Sequence, residues 1–335
     1  MDALSDVLRV IRLTGGVFLH AEFTAPWCIS SRLDRSVSGK LLNNSEQVIL
    51  YHYVREGGFR VKLKGGSPVE VPVGHAVLFP NNDVHFMGST LELAPVAFAS
   101  LLMVGPKGGL GRVSHGGGGA TTRTICGFLG CESQIANPLA AALPKLLTVN
   151  LRDGAAAQWM RSTLEFVADQ EVLAQPGAES VMAKVSEVLF VEAVRRYIER
   201  LPVEETGWLA GLRDPIVGRA LALLHGDVAR AWTVEELGRE VGTSRSTIAE
   251  RFALLVGESP MQYLTGWRMR LAARQLRTSG APLVRIAEEV GYGSEAAFIR
   301  AFRRQFGVPP GNWRRGLKNG SGRTLHVAPE QRHGA

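Results

Sequence analysis

Arginine side chains recur in two similar stretches near the C-terminal end of this 335-residue chain. The later stretch carries Arg300, Arg303 and Arg304, and the earlier one carries Arg245 and Arg251. A guanidinium group can pair with a phosphate oxygen, and it can also donate two hydrogen bonds to the edge of guanine. These residues therefore point to nucleic-acid chemistry, provided that suitable elements present them.

The earlier stretch, residues 233–257, predicts two short helices joined by a turn. Thr233 is a good N-cap residue, and Glu236 completes a capping box. Gly242 suits the left-handed position after a helix, and Ser244 can cap the next helix. The pattern predicts a helix-turn-helix unit, although a piece of an ordinary helical bundle would have a similar sequence.

The later stretch, residues 282–307, repeats the same order of features. Gly291 follows a short apolar helix, Ser294 can cap the next one, and Phe298 begins an apolar stripe with a four-residue period. The repetition favours two helix-turn-helix units in tandem over a bundle fragment. The helix between them, about 261–279, contains four arginines and no acidic residue.

This segment resembles the DNA-binding domain of AraC-type transcription regulators. The resemblance rests on the closing stretch of each unit, the middle of the connecting helix and the start of the second unit. These stretches are Phe252 through Pro260, Arg268 through Ala272, Ile286 through Tyr292 and Phe302 through Pro310. The resemblance implies a non-enzymatic protein that binds double-stranded promoter DNA and contacts RNA polymerase.

An α-helix fits the major groove of B-DNA, so the second helix of each unit is the expected insert, with two subsites about one helical turn apart. The resemblance implies base reading at Arg245, Ser246, Ala249, Glu250, Glu295, Ala296, Ile299 and Arg300. Phosphate contacts or surface charges are the expected roles of Arg251, Arg268, Arg303 and Arg304. Arg300 is the strongest expected base reader, whereas the carboxylate of Glu250 would repel nearby phosphates.

The formal net charge of +7 is unevenly distributed along the chain. Residues 214–316 contain 15 arginines and ten acidic residues, and residues 317–335 add two further positive charges. Residues 1–213 are therefore formally neutral, and a basic C-terminal part is typical of proteins that bind nucleic acid. The length favours two domains over one. Together with the resemblance, the changes along the chain predict a cupin-like sensory and dimerisation domain at 1–201, a linker at 202–215, a DNA-binding domain at 216–315 and a disordered tail at 316–335.

Residues 16–130 alternate short apolar runs with turn residues, which predicts a small β-barrel or sandwich, and residues 138–201 have a helical period. Residues 72–87 resemble the second half of the cupin motif, with matching positions at Pro72, Gly74, Pro80, Asp83 and His85. The predicted fold class is therefore α+β, with a cupin-like barrel and flanking helices before an all-α tandem helix-turn-helix domain. In AraC-type regulators of this layout such helices often mediate dimerisation, so the resemblance implies a homodimer. The apolar stripe alone fits packing on the barrel equally well.

The predicted effector or redox candidates are Cys28, His52, His85, Cys126 and Cys131. By analogy with cupin enzymes, His52 and His85 could bind a divalent metal together with Glu56 and His115. The His-x-His pair of those enzymes is missing, so we predict no cofactor and favour a metal-free domain that binds an unknown small molecule. Redox sensing would need an exposed thiolate of low pKa, whereas a free cysteine is most often a small buried apolar residue.

The sequence thus predicts a transcription regulator controlled by a small effector or a redox signal. One alternative is a cupin-type metalloenzyme with a basic helical domain, which would hold a metal and turn over a small substrate. Another is a non-specific packaging protein, which an acidic residue on a reading helix disfavours. The start of the chain does not have the pattern of a signal peptide, and no apolar run is long enough to span a membrane, so a cytoplasmic protein is expected.

Overall fold

The structure is a computed structural model, which describes residues 2–10, 13–33, 47–101, 111–131, 139, 142–167, 177–202 and 204–318. The chain divides into two units. We call residues 12–133 and 143–200 the sheet unit, and residues 1–11, 134–142 and 201–335 the helical unit. Within the described ranges, no helix is both long and apolar enough to cross a membrane.

The described strands of the sheet unit form two hydrogen-bonded sheets. The larger sheet contains, in spatial order, β11 (Leu147–Asn150), β6 (His75–Phe79), β3 (Gln47–Glu56), β10 (Thr121–Cys131), β1 (Leu13–Thr24) and β9 (Gly111–Gly116). The smaller sheet contains β5 (Val69–Pro72), β4 (Gly58–Leu63), β7 (His85–Gly88), β2 (Cys28–Ser31) and β8 (Val96–Ala97). A single apolar core joins them, with Phe23 and Leu50 from the larger sheet and Phe59 and Met87 from the smaller one.

This arrangement confirms a sheet-rich, cupin-like domain, and its described strands form two sheets that do not close into a barrel. Strands β3 and β4 are consecutive, yet β4 pairs with β5 and β7 and not with β3. Gly57 forms the corner between them with φ of 71°, and a Cβ atom there would lie 2.6 Å from the carbonyl oxygen of Thr121. The glycine therefore lets the chain leave one sheet and enter the other, so that the described strands face each other as two layers.

The described helices are labelled in chain order as α1 (Ala3–Val10), α2 (Phe98–Leu101), α3 (Ala155–Val167), α4 (Ala178–Arg200), α5 (Trp208–Arg213), α6 (Pro215–Gly226), α7 (Val234–Glu240), α8 (Arg245–Val256), α9 (Pro260–Thr278), α10 (Leu283–Glu289), α11 (Glu295–Phe306) and α12 (Pro310–Lys318). Helix α4 packs on the larger sheet, and α3 packs on α4. A hydrogen bond of 2.9 Å between the hydroxyls of Tyr51 and Ser186 joins β3 to α4.

The helical period predicted for residues 138–201 is wrong at Leu147–Asn150, because these residues form strand β11. Leu147 and Val149 are buried while Thr148 is exposed, which is the period of two expected for a strand. Strand β11 pairs antiparallel with β6, where Leu147 is opposite Leu78. The apolar spacing of the leucines fits a helix equally well, and the open edge of β6 determines which structure forms.

The helical unit contains both predicted helix-turn-helix units, with their predicted caps. Thr233 and Glu236 form a complete capping box at the start of α7. The Ser244 side chain caps α8, and Gly257 and Gly307 end α8 and α11 in the left-handed conformation. These caps satisfy the free backbone N–H and C=O groups at the helix ends, so they determine where each helix begins and ends.

Two boundaries of the helical unit differ from the predicted domain limits. The stretch predicted as a linker, 202–215, contains α5, whose buried Trp208 donates an indole hydrogen bond of 2.8 Å to the Tyr263 hydroxyl. Helix α1 groups with the helical unit, and its Ala3 and Val7 are buried where it packs on α6. The predicted disordered tail lies mostly outside the described residues, which end at 318.

Candidate nucleic-acid interface

Two twelve-residue helices, α8 and α11, occupy the same place in the two helix-turn-helix units. Their residues correspond at a constant offset of 50 positions: the caps Ser244 and Ser294 match, and so do the buried Phe252 and Phe302. Helix α9 connects the units. Each residue of one predicted reading helix can therefore be compared with its counterpart in the other.

Helix α11 presents three arginines to solvent. Phe298, Phe302 and Phe306 are buried, and successive helical residues are about 100° apart, so Arg300 points away from this stripe. Arg303 and Arg304 are exposed as well. None of the three has a carboxylate within ion-pair distance in the described part of the chain. Since no described carboxylate pairs with these three guanidinium groups, this face of α11 can present them to a polyanion.

Helix α8 differs at the same three positions. Glu250, Ala253 and Leu254 correspond to the three arginines of α11, and the Leu254 side chain is 70% exposed. Arg245 at the start of α8 lies 2.8 Å from a carboxylate oxygen of Glu235 in α7. The exposed face of α8 is therefore close to neutral, and its arginine is paired within the unit.

Arg251 also has a partner within the protein. Its Nε donates to Asp214 over 2.7 Å, and the other oxygen of Asp214 accepts hydrogen bonds from Ile216 and Val217 at the start of α6. Arg251 thus orients the N-cap of α6. Its predicted contact with phosphate stays a prediction.

Arg268 in α9 binds backbone of the loop that precedes α7. Its Nε donates to the carbonyl of Val228 and its Nη2 donates to that of Arg230, both over 2.8 Å. Its guanidinium also lies 6.0 Å from the ring centre of Tyr292, in the turn of the second unit. Arg268 therefore ties this loop and that turn to the connecting helix, which leaves less of its guanidinium available for a phosphate.

The other predicted base readers lie at or near the surface of the two helices. Ser246 and Ala296 are exposed, Ala249 is partly exposed, and Ile299 packs against the apolar core of the second unit. Glu295 is exposed in the first turn of α11, where the helix dipole favours a carboxylate. The structure therefore brings the predicted readers together on two helices, but it does not test their contacts with bases.

A cupin family model matches residues 2–199, and a helix-turn-helix domain model matches residues 237–316. A putative AraC-like transcription regulator of Streptomyces antibioticus is 33% identical over 319 residues, covering 94% of this chain and 99% of that protein. This chain belongs to the AraC-like transcription regulators. The predicted family and its DNA-binding function are thereby confirmed.

Other relatives share this length or the C-terminal domain. The regulator AlkR of Acinetobacter baylyi is 29% identical over 320 residues, covering 94% of this chain and 99% of its own length. A crystal structure of the DNA-binding domain of AdpA with a target DNA aligns with 32% of this chain and 95% of that chain, at 31% identity and a TM-score of 0.30. The sheet unit and the helical unit of this AraC-like regulator thus occur together in full-length relatives.

In the sheet unit of this AraC-like regulator, three of the predicted effector or redox residues meet in the core. His52 Nδ1 lies 2.9 Å from the Cys126 sulfur, and His52 Nε2 lies 3.0 Å from His85 Nε2. His85 Nδ1 lies 3.0 Å from the Asp83 carbonyl oxygen, which can only accept. The proton order follows: His85 Nδ1–H donates to Asp83, His52 Nε2–H donates to His85, and the Cys126 thiol donates to His52.

Burial keeps this chain of groups neutral. It lowers the pKa of His52 well below its ordinary value, to which the neighbouring His85 also contributes, and it lowers the pKa of His85 to about 4. It also raises the pKa of the Cys126 thiol to about 12. A satisfied, uncharged polar network in an apolar core stabilises the fold, but it leaves no reactive thiolate at Cys126.

The donor set does not fit a metal centre of the cupin-enzyme type. Both ring nitrogens of His52 already have partners, and the Glu56 carboxylate is bound to Arg123 at 2.5 Å. His115 lies in β9 and is partly exposed. In the parts of the chain that are described, no three His, Cys, Asp or Glu side chains converge on one point. The absence of a cofactor stays a prediction.

The cysteines are buried and separated. Burial raises the pKa of Cys28, and Cys131 is buried at the end of β10. Cys126 and Cys131 are five residues apart on that strand, which separates them by about 16 Å along it. Because the spacing is odd, their side chains point to opposite faces of the sheet. A disulfide between them would require the strand to unfold, which disfavours this pair as a redox switch.

The sequence patterns did not indicate the partners of Arg251 and Arg268. Asp214 is 37 positions from Arg251, and Val228 is 40 positions from Arg268. Neither distance is a helical repeat, so the short-range spacing that identified the helices carries no signal for these contacts. In the structure, Gly291 marks the close approach of this turn, because a Cβ atom there would lie 2.6 Å from the Ala229 carbonyl oxygen.

We expect Arg268→Ala to destabilise the helical unit by about 1–2 kcal/mol, because the partly buried carbonyl group of Val228 and the exposed carbonyl group of Arg230 lose a charged donor. Thermal unfolding and DNA binding at several salt concentrations would be measured together. If Arg268 instead contacts a phosphate, the substitution would weaken DNA binding and leave stability unchanged. It would also lower the slope of log K against log salt concentration by about one. Arg274→Ala, on the same helix, is the matched control and should leave the melting temperature unchanged.

Proposed function

We propose that this protein reads its promoter through two unequal subsites, with α11 as the main anchor and α8 as a weaker reader. The observation that carries this proposal is the contrast at three corresponding positions. Helix α11 has Arg300, Arg303 and Arg304 there, whereas α8 has Glu250, Ala253 and Leu254. Each phosphate neutralised by an arginine releases counterions and favours binding. The second unit therefore contributes most of the affinity.

Selection of bound sequences from a random double-stranded DNA library, followed by footprinting of the full chain, tests this function. Two short blocks about one helical turn apart are expected, and the block contacted by α11 should be the more strongly conserved. Enrichment of no sequence would contradict specific binding. A footprint dominated by the block under α8 would contradict the unequal roles.

We also propose that a small-molecule effector controls the protein through its sheet unit, without a metal cofactor. The burial of all three cysteines supports this trigger over a thiol signal. The satisfied His52 and His85 pair supports a metal-free domain. The family resemblance further supports a contact with RNA polymerase, which transcription in vitro from a selected promoter would test.

A homodimer is the proposed assembly, formed through an apolar face of α3 and α4. Trp159 and Phe166 of α3 are 56% and 57% exposed, and they are seven residues apart. Val181 and Val188 of α4 are also exposed and have the same spacing. A seven-residue apolar repeat is typical of helices that pair with other helices, and exposed aromatic side chains gain most from such burial.

Native mass spectrometry of the purified protein would report the subunit count and any bound metal together. We expect a metal-free dimer, and we expect Trp159→Glu combined with Phe166→Glu to convert it into a monomer. Leu93→Glu, which changes an exposed leucine outside these helices, should leave the dimer intact. A monomeric wild-type protein, or a dimer that survives the double substitution, would refute the proposed interface.

A further inference from the structure

A polar cleft of about 410 Å³ lies in the sheet unit, away from the His52 and His85 pair. Its main polar lining residues are His20, Glu22, Arg55, Arg112, Ser114 and Arg123. Known small-molecule sites have volumes of about 300–1,000 Å³ and a few convergent polar groups. The cleft therefore has the size and the functional groups of a metabolite site.

Strand register explains why these side chains converge. His20 lies opposite Arg112, and Glu22 lies opposite both Ser114 and Arg123 on the neighbouring strands β9 and β10. Leu19, Ala21 and Val113, the intervening residues of β1 and β9, point into the apolar core. Because strand side chains alternate between faces, the polar set lies on the outer face of the larger sheet.

The cationic groups of the cleft are unequally neutralised. Arg123 is bound by two carboxylates, Glu22 at 2.8 Å and Glu56 at 2.5 Å. Among the described residues, Arg55 forms one ion pair, with Glu165 of α3 at 2.5 Å, and both side chains of this pair are more than one-third exposed. Arg55 is therefore the cation whose partner an incoming anion can replace.

His20 adds a polar atom that lacks a partner. Its Nε2 is buried and has no hydrogen-bond partner among the residues that the structure describes. Burial lowers the pKa of His20, and the positive charges of Arg55 and Arg112 lower it further, so the ring is neutral near pH 7. An unsatisfied buried nitrogen is costly, and a ligand that pairs with it relieves that cost.

We infer that this cleft binds a small anion bearing a carboxylate or a phosphate, held by Arg55 and Arg112 and hydrogen-bonded to His20. Guanidinium groups pair with both kinds of anion through two parallel hydrogen bonds. The anion competes with Glu165 for Arg55 and so loosens the tie between β3 and α3. Because Phe166 follows Glu165 in α3, displacement of Glu165 by the ligand also affects the apolar face of α3. This inference rests on the proposed effector control.

Isothermal titration of the full chain with succinate and with inorganic phosphate, at low ionic strength, tests the site. Saturable binding of one probe is expected, and the tighter probe identifies the class of anion. Arg55→Gln should weaken that binding about tenfold, since a hydrogen bond to a charged group is lost. Glu165→Gln should tighten it several-fold by removing the competitor. Arg60→Gln, on the exposed face of the other sheet, is the matched control.

Several results would overturn the inference. They are the absence of saturable binding by both probes, an equal loss in Arg60→Gln, and weaker binding in Glu165→Gln. Melting temperatures of the variants verify that each remains folded. Failure to select any DNA sequence would instead overturn the proposed function, so the two failures are distinguishable.

Discussion

Replacing Arg300 with alanine is expected to weaken binding to the selected promoter by about 1–3 kcal/mol and to relax the preference at one base pair. Arg300 lies on the side of α11 opposite the buried phenylalanines, and no carboxylate in the described structure pairs with it. Its guanidinium therefore breaks no ion pair with a described residue when it pairs with guanine. Quantitative binding to every single-base variant of the site would measure both effects.

Two further variants separate base reading from charge. Arg303→Ala, which removes the neighbouring arginine, should weaken binding to all sequences alike and reduce the salt dependence. Glu250→Arg places a cation at the corresponding position of α8, so it should strengthen binding to DNA of any sequence. If Arg300→Ala instead weakens all sequences equally, Arg300 contacts only phosphate.

Acidification is expected to destabilise both units between pH 6.5 and pH 4. Burial lowers the pKa of His85 in the sheet unit and of His225 in the helical unit to about 4, whereas an unfolded histidine titrates near 6.5. Between these values the unfolded chain binds more protons than the folded one, so stability falls as the pH falls. The expected loss is about 2 kcal/mol for each histidine at pH 5.

Thermal unfolding from pH 7.5 to pH 5, followed by circular dichroism, would measure this loss. His85→Gln should reduce the pH dependence of the sheet unit, to which the buried His52 still contributes, and His225→Gln should reduce that of the helical unit. His75→Gln, at a partly exposed site, should leave both unchanged. A melting temperature that does not change over this range would contradict the neutral, buried state of these rings.

The helix-turn-helix units were predictable because their determinants are local. A cap such as Thr233, a left-handed glycine such as Gly257 and the stripe begun by Phe298 act within one or two helical turns. Sequence spacing therefore determines the length of α11 and the side on which Arg300 lies. The strands of the cupin-like domain were also recognised from their apolar runs, although those runs did not decide between a barrel and a sandwich.

The sequence by itself determined the α+β class, the tandem units and the basic face of α11, since each depends on neighbours in the chain. Tertiary structure alone decided that β4 leaves β3 at Gly57, that Cys126 meets His52, and that Arg268 binds the loop before α7. These contacts join residues tens of positions apart. They form because sheet pairing and core packing minimise exposed apolar surface and unpaired polar groups, which no local spacing records.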